Sequence, residues 1–204
     1  MRKLFVTGIG TDIGKTVVSA ILTEALEADY WKPIQAGNYF STDSGKIKNW
    51  ISNTQTVIHP EAYSLKNHMS PHAAAEIEGI TIDFDNINAP ETTNTLIIEG
   101  AGGLMVPIDN NKHFMSDLIK KMDAEVVVVV QNYLGSINHS ILTVEALKSR
   151  NLNVLGIIFN GATHKLSEDI ILSYSGLKCL GKVGKENEIN KDIIKKYASQ
   201  FESI

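Results

Sequence analysis

Cysteine is nearly missing from this chain: one, Cys179, in 204 residues, which excludes an intrachain disulfide and a cysteine-built zinc site. It lies in an apolar stretch, and that predicts a buried, unreactive thiol. Excess positive charge is missing too. Nineteen Lys and Arg face 23 Asp and Glu, a net charge of −4, so no nucleic-acid partner is expected. Hydrophobic runs such as Val126 to Val130 are strand-sized rather than membrane-spanning. Met1-Arg2-Lys3 is basic, but the apolar run behind it is too short for a signal peptide, so the expected compartment is cytoplasmic, with no membrane partner. Repeats, low-complexity tracts and linkers are absent from the sequence. With 43% hydrophobic and 21% charged residues, the composition suits one globular domain spanning 1–204.

What the chain does have is concentrated between Val6 and Thr16. Leu4-Phe5-Val6 suits a buried strand, and Thr16 to Leu26 carries apolar residues at helical spacing. Between them a glycine-punctuated turn ends in Gly14-Lys15-Thr16, the layout of a phosphate-binding loop. Glycines let the backbone approach phosphate oxygens, and N–H groups at the helix start point at anionic charge. Lys15 can reach the β- and γ-phosphates while the Thr16 hydroxyl ligates Mg²⁺. The spacing is a variant one: the position for the first glycine of G-x-x-x-x-G-K-T holds Ile9, and Gly8 lies one residue upstream.

Further along, Tyr30 to Ile34 predicts a short strand closed by Pro33 and Gly37, and Lys46 to Ser52 a helical piece. Residues 53–94 are the least periodic part. Within them Ser70 and Pro71 predict the cap and first turn of a helix, and Asp83 to Asn88 is a weak helix candidate. Thr95 to Glu99 predicts a buried strand, Phe114 to Met122 a helix, and Glu125 to Gln131, with five valines, a central strand covered on both faces. A helix from Ser136, its candidate cap, to Arg150 follows. Then come a strand over Val154–Phe159, a helix over Leu166–Tyr174, a strand over Leu177–Val183 and a charged helix over Ile189–Phe201. Strands alternating with helices mean an α/β fold: a doubly wound, mainly parallel sheet flanked by helices. Ligands in such sheets bind past the carboxyl ends of the strands, a rule that gathers Gly8–Thr16, Lys32–Gly37, Glu99–Gly103 and Gln131–Asn138 on one edge.

Several residues on that edge carry chemistry. Glu99 ends an apolar strand, where a carboxylate needs a cationic partner; Mg²⁺ is the natural one beside a phosphate loop. The glycines that follow, in Gly100-Ala101-Gly102-Gly103, let amides approach a phosphate or substrate. Lys32, before Pro33, is a second ammonium able to offset charge in phosphoryl transfer, with a lysine merely snorkelling at a strand end as its plainer reading. Asp43 is either a second carboxylate for Mg²⁺ or a turn or cap residue. Amides at the start of the Ser136 helix form an anion site suited to a carboxylate, where His139 is expected to be structural. Asn160 can read an adenine edge, or simply make a turn with Gly161.

Together these stretches resemble the dethiobiotin synthetase family. The family's Thr-Gly, variable loop and Gly-Lys-Thr are matched by Thr7 to Thr16, with the same odd spacing. Its Lys-Pro is matched by Lys32-Pro33, its Ser-Pro-His by Ser70–His72, its Glu-Gly-Ala-Gly-Gly by Glu99–Gly103 and its Gly-x-Ile-Asn-His by Gly135–His139. The resemblance covers residues 4–161 and implies a P-loop NTPase-type fold and an ATP-dependent ring closure. Its substrates would be 7,8-diaminononanoate and CO₂ (or bicarbonate), with ATP and Mg²⁺ as cofactors. It implies that Lys15, Lys32 and Thr11 serve the chemistry and that Thr16, Asp43 and Glu99 hold Mg²⁺. Asp12, Ile13, Gly14, Val17, Gly100, Ala101, Gly102 and Asn160 would join these around the nucleotide. Thr11, Lys32, Ala36 and the amides of Ser136, Ile137 and Asn138 would meet substrate, the last three across a homodimer interface.

The chain departs from the family twice. Ala36 stands where a Ser or Thr hydroxyl touches substrate, so that contact is missing or comes from Gln35 or Asn38. Val183-Gly184 stands where Ile-Pro often lines the adenine pocket. Two alternatives share the first loop: a partition- or maturation-type switch ATPase, which would carry an extra loop lysine, and a cobalamin-pathway amidotransferase, which needs a glutaminase domain. The switch ATPase does not account for the Lys-Pro, Ser-Pro-His and Gly-x-Ile-Asn-His set.

Overall fold

In a computed structural model, which describes residues 1–37, 41–110 and 112–204, the chain forms a parallel sheet with helices on both faces. Its seven strands lie in the order β4-β2-β6-β1-β7-β8-β9. At the centre, β1 (Lys3–Gly8) pairs with β6 (Leu96–Glu99) on one side and β7 (Glu125–Gln131) on the other. All five valines of β7 are fully buried, as a strand covered on both faces requires. Beyond it lie β8 (Val154–Asn160) and the edge strand β9 (Cys179–Val183). On the other flank, β2 (Asp29–Trp31) joins β6 to the two-residue β4 (Ile58–His59).

Right-handed crossovers sort the helices. Moving from β1 toward β2 puts α1 (Lys15–Ala25) on one face, where α7 (Lys191–Ala198) and α2 (Asp43–Trp50) pack against it. Moving the other way puts α4 (Met115–Met122), α5 (Ser136–Ser149) and α6 (Lys165–Ser175) on the opposite face, with α5 packed on α6 and β7.

The expected Tyr30–Ile34 strand is in fact two. Proline has no N–H to give a ladder, and the Pro33 carbonyl instead accepts from the amides of Ala62 and Tyr63 (2.9 and 3.1 Å). The chain leaves the main sheet at Lys32-Pro33 and enters a second, two-stranded sheet of β3 (Ile34–Ala36) and β5 (Tyr63–Leu65). Beside it lies α3 (Pro71–Glu78). Helix α2 starts earlier than expected because Thr42 caps it, its hydroxyl accepting from the Gly45 amide (3.1 Å). Ser70 does occupy the cap position of α3, but its side chain makes no cap bond. Ser136 is not a cap: Gly135, at φ 105°, takes that position. The Asp83–Asn88 candidate shrinks to a 3-10 turn at Phe84–Asn86.

Cys179 is exposed, contrary to its apolar surroundings in sequence. It opens β9, which has a neighbour only on the β8 side, so its side chain meets solvent.

Candidate functional site

The turn from β1 to α1 is shaped by two left-handed residues, Asp12 (φ 56°) and Gly14 (φ 91°). This curls the loop so that successive amides face one concavity, a nest for anions. Gly14 also admits a neighbour: a Cβ there would lie 2.1 Å from Asn160 Nδ2. That amide nitrogen donates to the Ile13 carbonyl (2.9 Å), tying the end of β8 to the loop. The Lys15 ammonium donates to the Gly10 carbonyl (2.7 Å). Burial lowers its pKa to about 8, with Lys32 pushing the same way and Glu99, Asp12 and Asp43 opposing.

Beyond the strand ends lies a cavity of about 500 Å³. Thr11, Asp12, Gly14, Lys15, Thr16 and Val17 line it from the loop; Lys32, Gln35 and Ala36 from the β2–β3 turn; Glu99, Ala101 and Gly102 from the end of β6. Asp43, Lys46 and Trp50 reach it from α2, and His68 to Pro71 from the approach to α3. The predicted convergence of three loops therefore holds. The fourth, Gln131–Asn138, does not join this cavity. Gln131, Asn132, Tyr133 and His139 line a second one of about 510 Å³ on the other side of the phosphate loop, shared with Ile9 to Ile13. The lining of neither includes Ser136, Ile137, Asn138, Gly100 or Asn160.

Glu99 does not face water; it is 1% exposed and fully partnered. Its Oε1 accepts from Thr16 Oγ1 (2.9 Å) and Lys32 Nζ (3.0 Å), and its Oε2 from the Tyr30 hydroxyl (2.9 Å). Lys32, also buried, meets Asp43 Oδ2 at 2.6 Å. Burial alone would lower the Lys32 pKa, but Glu99 and Asp43 outweigh it and hold the ammonium above its ordinary value. Burial likewise pushes Asp43 up, and Lys32 overrides it, so the carboxyl titrates lower than usual. Tyr30 is driven well above the phenol range by burial and by Glu99, so it remains a donor. Lys32 is thus buried against two carboxylates rather than snorkelling, while Asp43 sits in the first turn of α2, in line with its plainer reading, and also pairs with Lys32.

Thr16, Glu99 and Asp43 offer a hydroxyl and two carboxylates, the hard oxygen donors Mg²⁺ takes. No group of three or more His, Cys, Asp or Glu suited to a metal occurs among the described residues. A site with two carboxylates leaves room for the phosphate oxygens and waters that Mg²⁺ prefers to keep.

Gln35 is buried with both ends engaged: Oε1 accepts from the Asp43 amide (3.1 Å) and Nε2 donates to the Gly37 carbonyl (3.0 Å). It holds the loop through one bond at each end of its amide and also lines the cavity, while Asn38 lies outside the described residues. At α5 the Ser136 amide already donates to the Tyr133 carbonyl (2.9 Å), so the open donors of that helix start are those of Ile137 and Asn138. His139 is exposed, its Nδ1 2.7 Å from the Tyr133 hydroxyl. Tyr30 and Lys46 escaped the sequence reading. The signal for Tyr30 was its place two residues before Lys32, which puts both on one side of an extended chain.

A left-handed loop closing on Gly-Lys-Thr at the end of a central parallel strand, with a buried acid on the next strand, defines a P-loop NTPase. Solved structures agree at the level of fold. The cell division ATPase MinD of Pyrococcus furiosus superimposes with a TM-score of 0.60 at 14% identity, over 99% of each chain. A plasmid partition protein from Borrelia burgdorferi gives 0.58 at 11%, over 98% of this chain and 96% of that one. Residues 2–192 match the AAA domain family. Sequence relatives are more specific. The ATP-dependent dethiobiotin synthetase BioD of Cytophaga hutchinsonii is 52% identical over 97% of this chain and 96% of its own. That of Christiangramia forsetii is 50% identical over 98% and 96%. The chain belongs to the ATP-dependent dethiobiotin synthetase family, a family of ATP-dependent ligases.

Proposed function

We propose that this chain, as one catalytic domain, converts 7,8-diaminononanoate, CO₂ and ATP to dethiobiotin, ADP and phosphate, in the cytoplasm, as a step of biotin biosynthesis. The observation that carries the reading is the buried Lys32 ammonium, clamped by Glu99 and Asp43 in the same cavity as Gly14-Lys15-Thr16. One amine of the substrate captures CO₂ as a carbamate and releases a proton. A carbamate oxygen then attacks the γ-phosphorus, ADP leaves, and a carbamic–phosphoric anhydride forms. The second amine attacks the anhydride carbonyl, phosphate departs, and the cyclic urea closes.

Every step gathers or moves negative charge, which ammonium groups held at the site stabilise. Lys32 neutralises the carbamate and the transferring phosphoryl group. Lys15 leaves the Gly10 carbonyl for the β- and γ-phosphates, and loop amides from Asp12 to Val17 receive the phosphate oxygens. Thr11, at the cavity edge, contacts substrate, and Ala101 and Gly102 form the opposite wall. Thr16, Asp43 and Glu99 would hold Mg²⁺, which would supply neutralisation of phosphate charge. Asn160 has its nitrogen engaged by Ile13, so its amide oxygen is what it offers an adenine amine.

The substrate carboxylate is assigned to the start of α5 of a second copy. Leu134 is fully exposed and Leu142 is 59% exposed beside that helix start, an apolar surface that supports a homodimer.

Turnover decides the assignment. With MgATP, bicarbonate and the diamine, ADP release should require the diamine and keep step with the cyclic urea. Hydrolysis indifferent to diamine and bicarbonate would overturn it in favour of a switch ATPase.

A further inference from the structure

Tyr30 is a fully buried phenol that none of the steps above uses. It lies on β2, two residues before Lys32, and β2 is hydrogen-bonded to β6 with Trp31 opposite Ile98. That register brings its hydroxyl within 2.9 Å of Glu99 Oε2, on the far side of the carboxylate from Thr16 and Lys32, which both contact Oε1. A carboxylate with a single buried oxygen bonded could rotate about its terminal torsion, which is broad and roughly two-fold. With both oxygens bonded from fixed elements it cannot. The rigidity matters for a hard cation that demands near-ideal octahedral geometry and takes few protein ligands.

We propose that Tyr30 is a positioning residue for metal binding: its phenol anchors Glu99 Oε2 so that the carboxylate presents Oε1, alone and in fixed orientation, beside the Thr16 hydroxyl. This rests on the assignment of Glu99 to Mg²⁺ made above. Partners of ligating carboxylates carry this kind of control, and losing one costs about 10- to 100-fold in metal affinity.

The test uses the full chain with a non-hydrolysable ATP analogue and Mn²⁺, an oxygen-seeking stand-in for Mg²⁺ whose free concentration is read by electron paramagnetic resonance. Tyr30→Phe keeps the ring and its packing, and thermal unfolding checks that the fold survives. Mn²⁺ affinity should fall by about tenfold, while affinity for the analogue in the presence of chelator stays unchanged. In a Glu99→Gln background, the same substitution should cost nothing more. A purely structural tyrosine would weaken both affinities alike or neither. If Glu99→Gln weakens Mn²⁺ binding and Tyr30→Phe does not, the role of Tyr30 is refuted while the metal site stands. If Glu99→Gln itself leaves Mn²⁺ binding intact, the metal assignment fails and takes this inference with it. Should Tyr30→Phe not fold, the bond to Glu99 serves the fold and the positioning role is overturned.

Discussion

Replacing Lys32 by Met tests the centre of the site through stability rather than turnover. The substitution keeps most of the aliphatic stem but removes an ammonium that lies 2.6 Å from Asp43 and 3.0 Å from Glu99. Glu99, 1% exposed, is then left without an ammonium contact, and Asp43 keeps only that of Lys46 at 3.0 Å. Breaking a buried pair from one side costs about 3–5 kcal/mol. At this chain length each kcal/mol shifts the melting temperature by about 2–4 °C, so a drop of roughly 6–20 °C is expected. The pH dependence supplies a signature. Lys32 holds the Asp43 carboxyl low against the opposing effect of burial, so that stabilisation is full above the ordinary carboxylate range and is lost as pH falls through the folded value. The Lys32 pKa is itself raised, so its contribution is full below the unfolded value and lost only in strong base. The gap between native and variant protein should therefore be widest around neutrality and close only as pH falls below the ordinary carboxylate range. Urea unfolding at neutral and acid pH measures both. A neutral-pH loss below about 1 kcal/mol, the scale of an exposed pair, or a gap indifferent to acid, would refute the reasoning.

Other perturbations follow from the same geometry. Because burial brings the Lys15 pKa to about 8 and phosphate needs the ammonium, nucleotide affinity should fall by up to about tenfold per pH unit above that value. Calorimetric titration should also show proton uptake there, and a flat profile would contradict it. Gly14→Ala forces a left-handed backbone on an L residue, costing about 1–2 kcal/mol, and sets its Cβ against Asn160. Nucleotide binding should be lost with only moderate destabilisation, and unchanged affinity would show that the loop accommodates it. Leu142→Glu should convert the proposed dimer to monomer in sedimentation velocity and weaken diamine binding more than nucleotide binding. Ala36→Ser, restoring the hydroxyl common in the family, should lower KM for the diamine; an unchanged KM would show that this wall does not touch it.

Much of the fold was legible because its signals are local and long. The valines of β7 and the β1–loop–α1 unit are each legible in one continuous stretch of chain. Residues 53–94 gave little, since β4 and β5 have two and three residues, too few for any periodicity. The split at Lys32-Pro33 was hidden for another reason: an apolar run with a proline suits one closing strand or two short ones, and only the long-range partners Ala62 and Tyr63 decide. At the site, the motif residues Lys15, Thr16, Lys32, Asp43 and Glu99 lie together as expected, while contacts that depend on a neighbouring strand or helix could not be read. Gln35 and Tyr30 have no motif; they matter because of what lies across from them. Cys179 was misjudged because apolar sequence neighbours do not show which strand forms the sheet edge.

The passage of the chain from one sheet to the other at Lys32-Pro33 has an evolutionary consequence. The phosphate loop, Glu99 and Lys32 belong to the main sheet or its margins, while Gln35, Ala36 and the His68–Pro71 wall hang on the small sheet and the approach to α3. Mutational drift in that outer wall can remodel the space proposed for the organic substrate and leave the strands of the main sheet in register. The same partition offers protein engineers a separable specificity module: libraries confined to residues 34–36 and 68–71 vary the acceptor pocket on a constant ATP-handling frame.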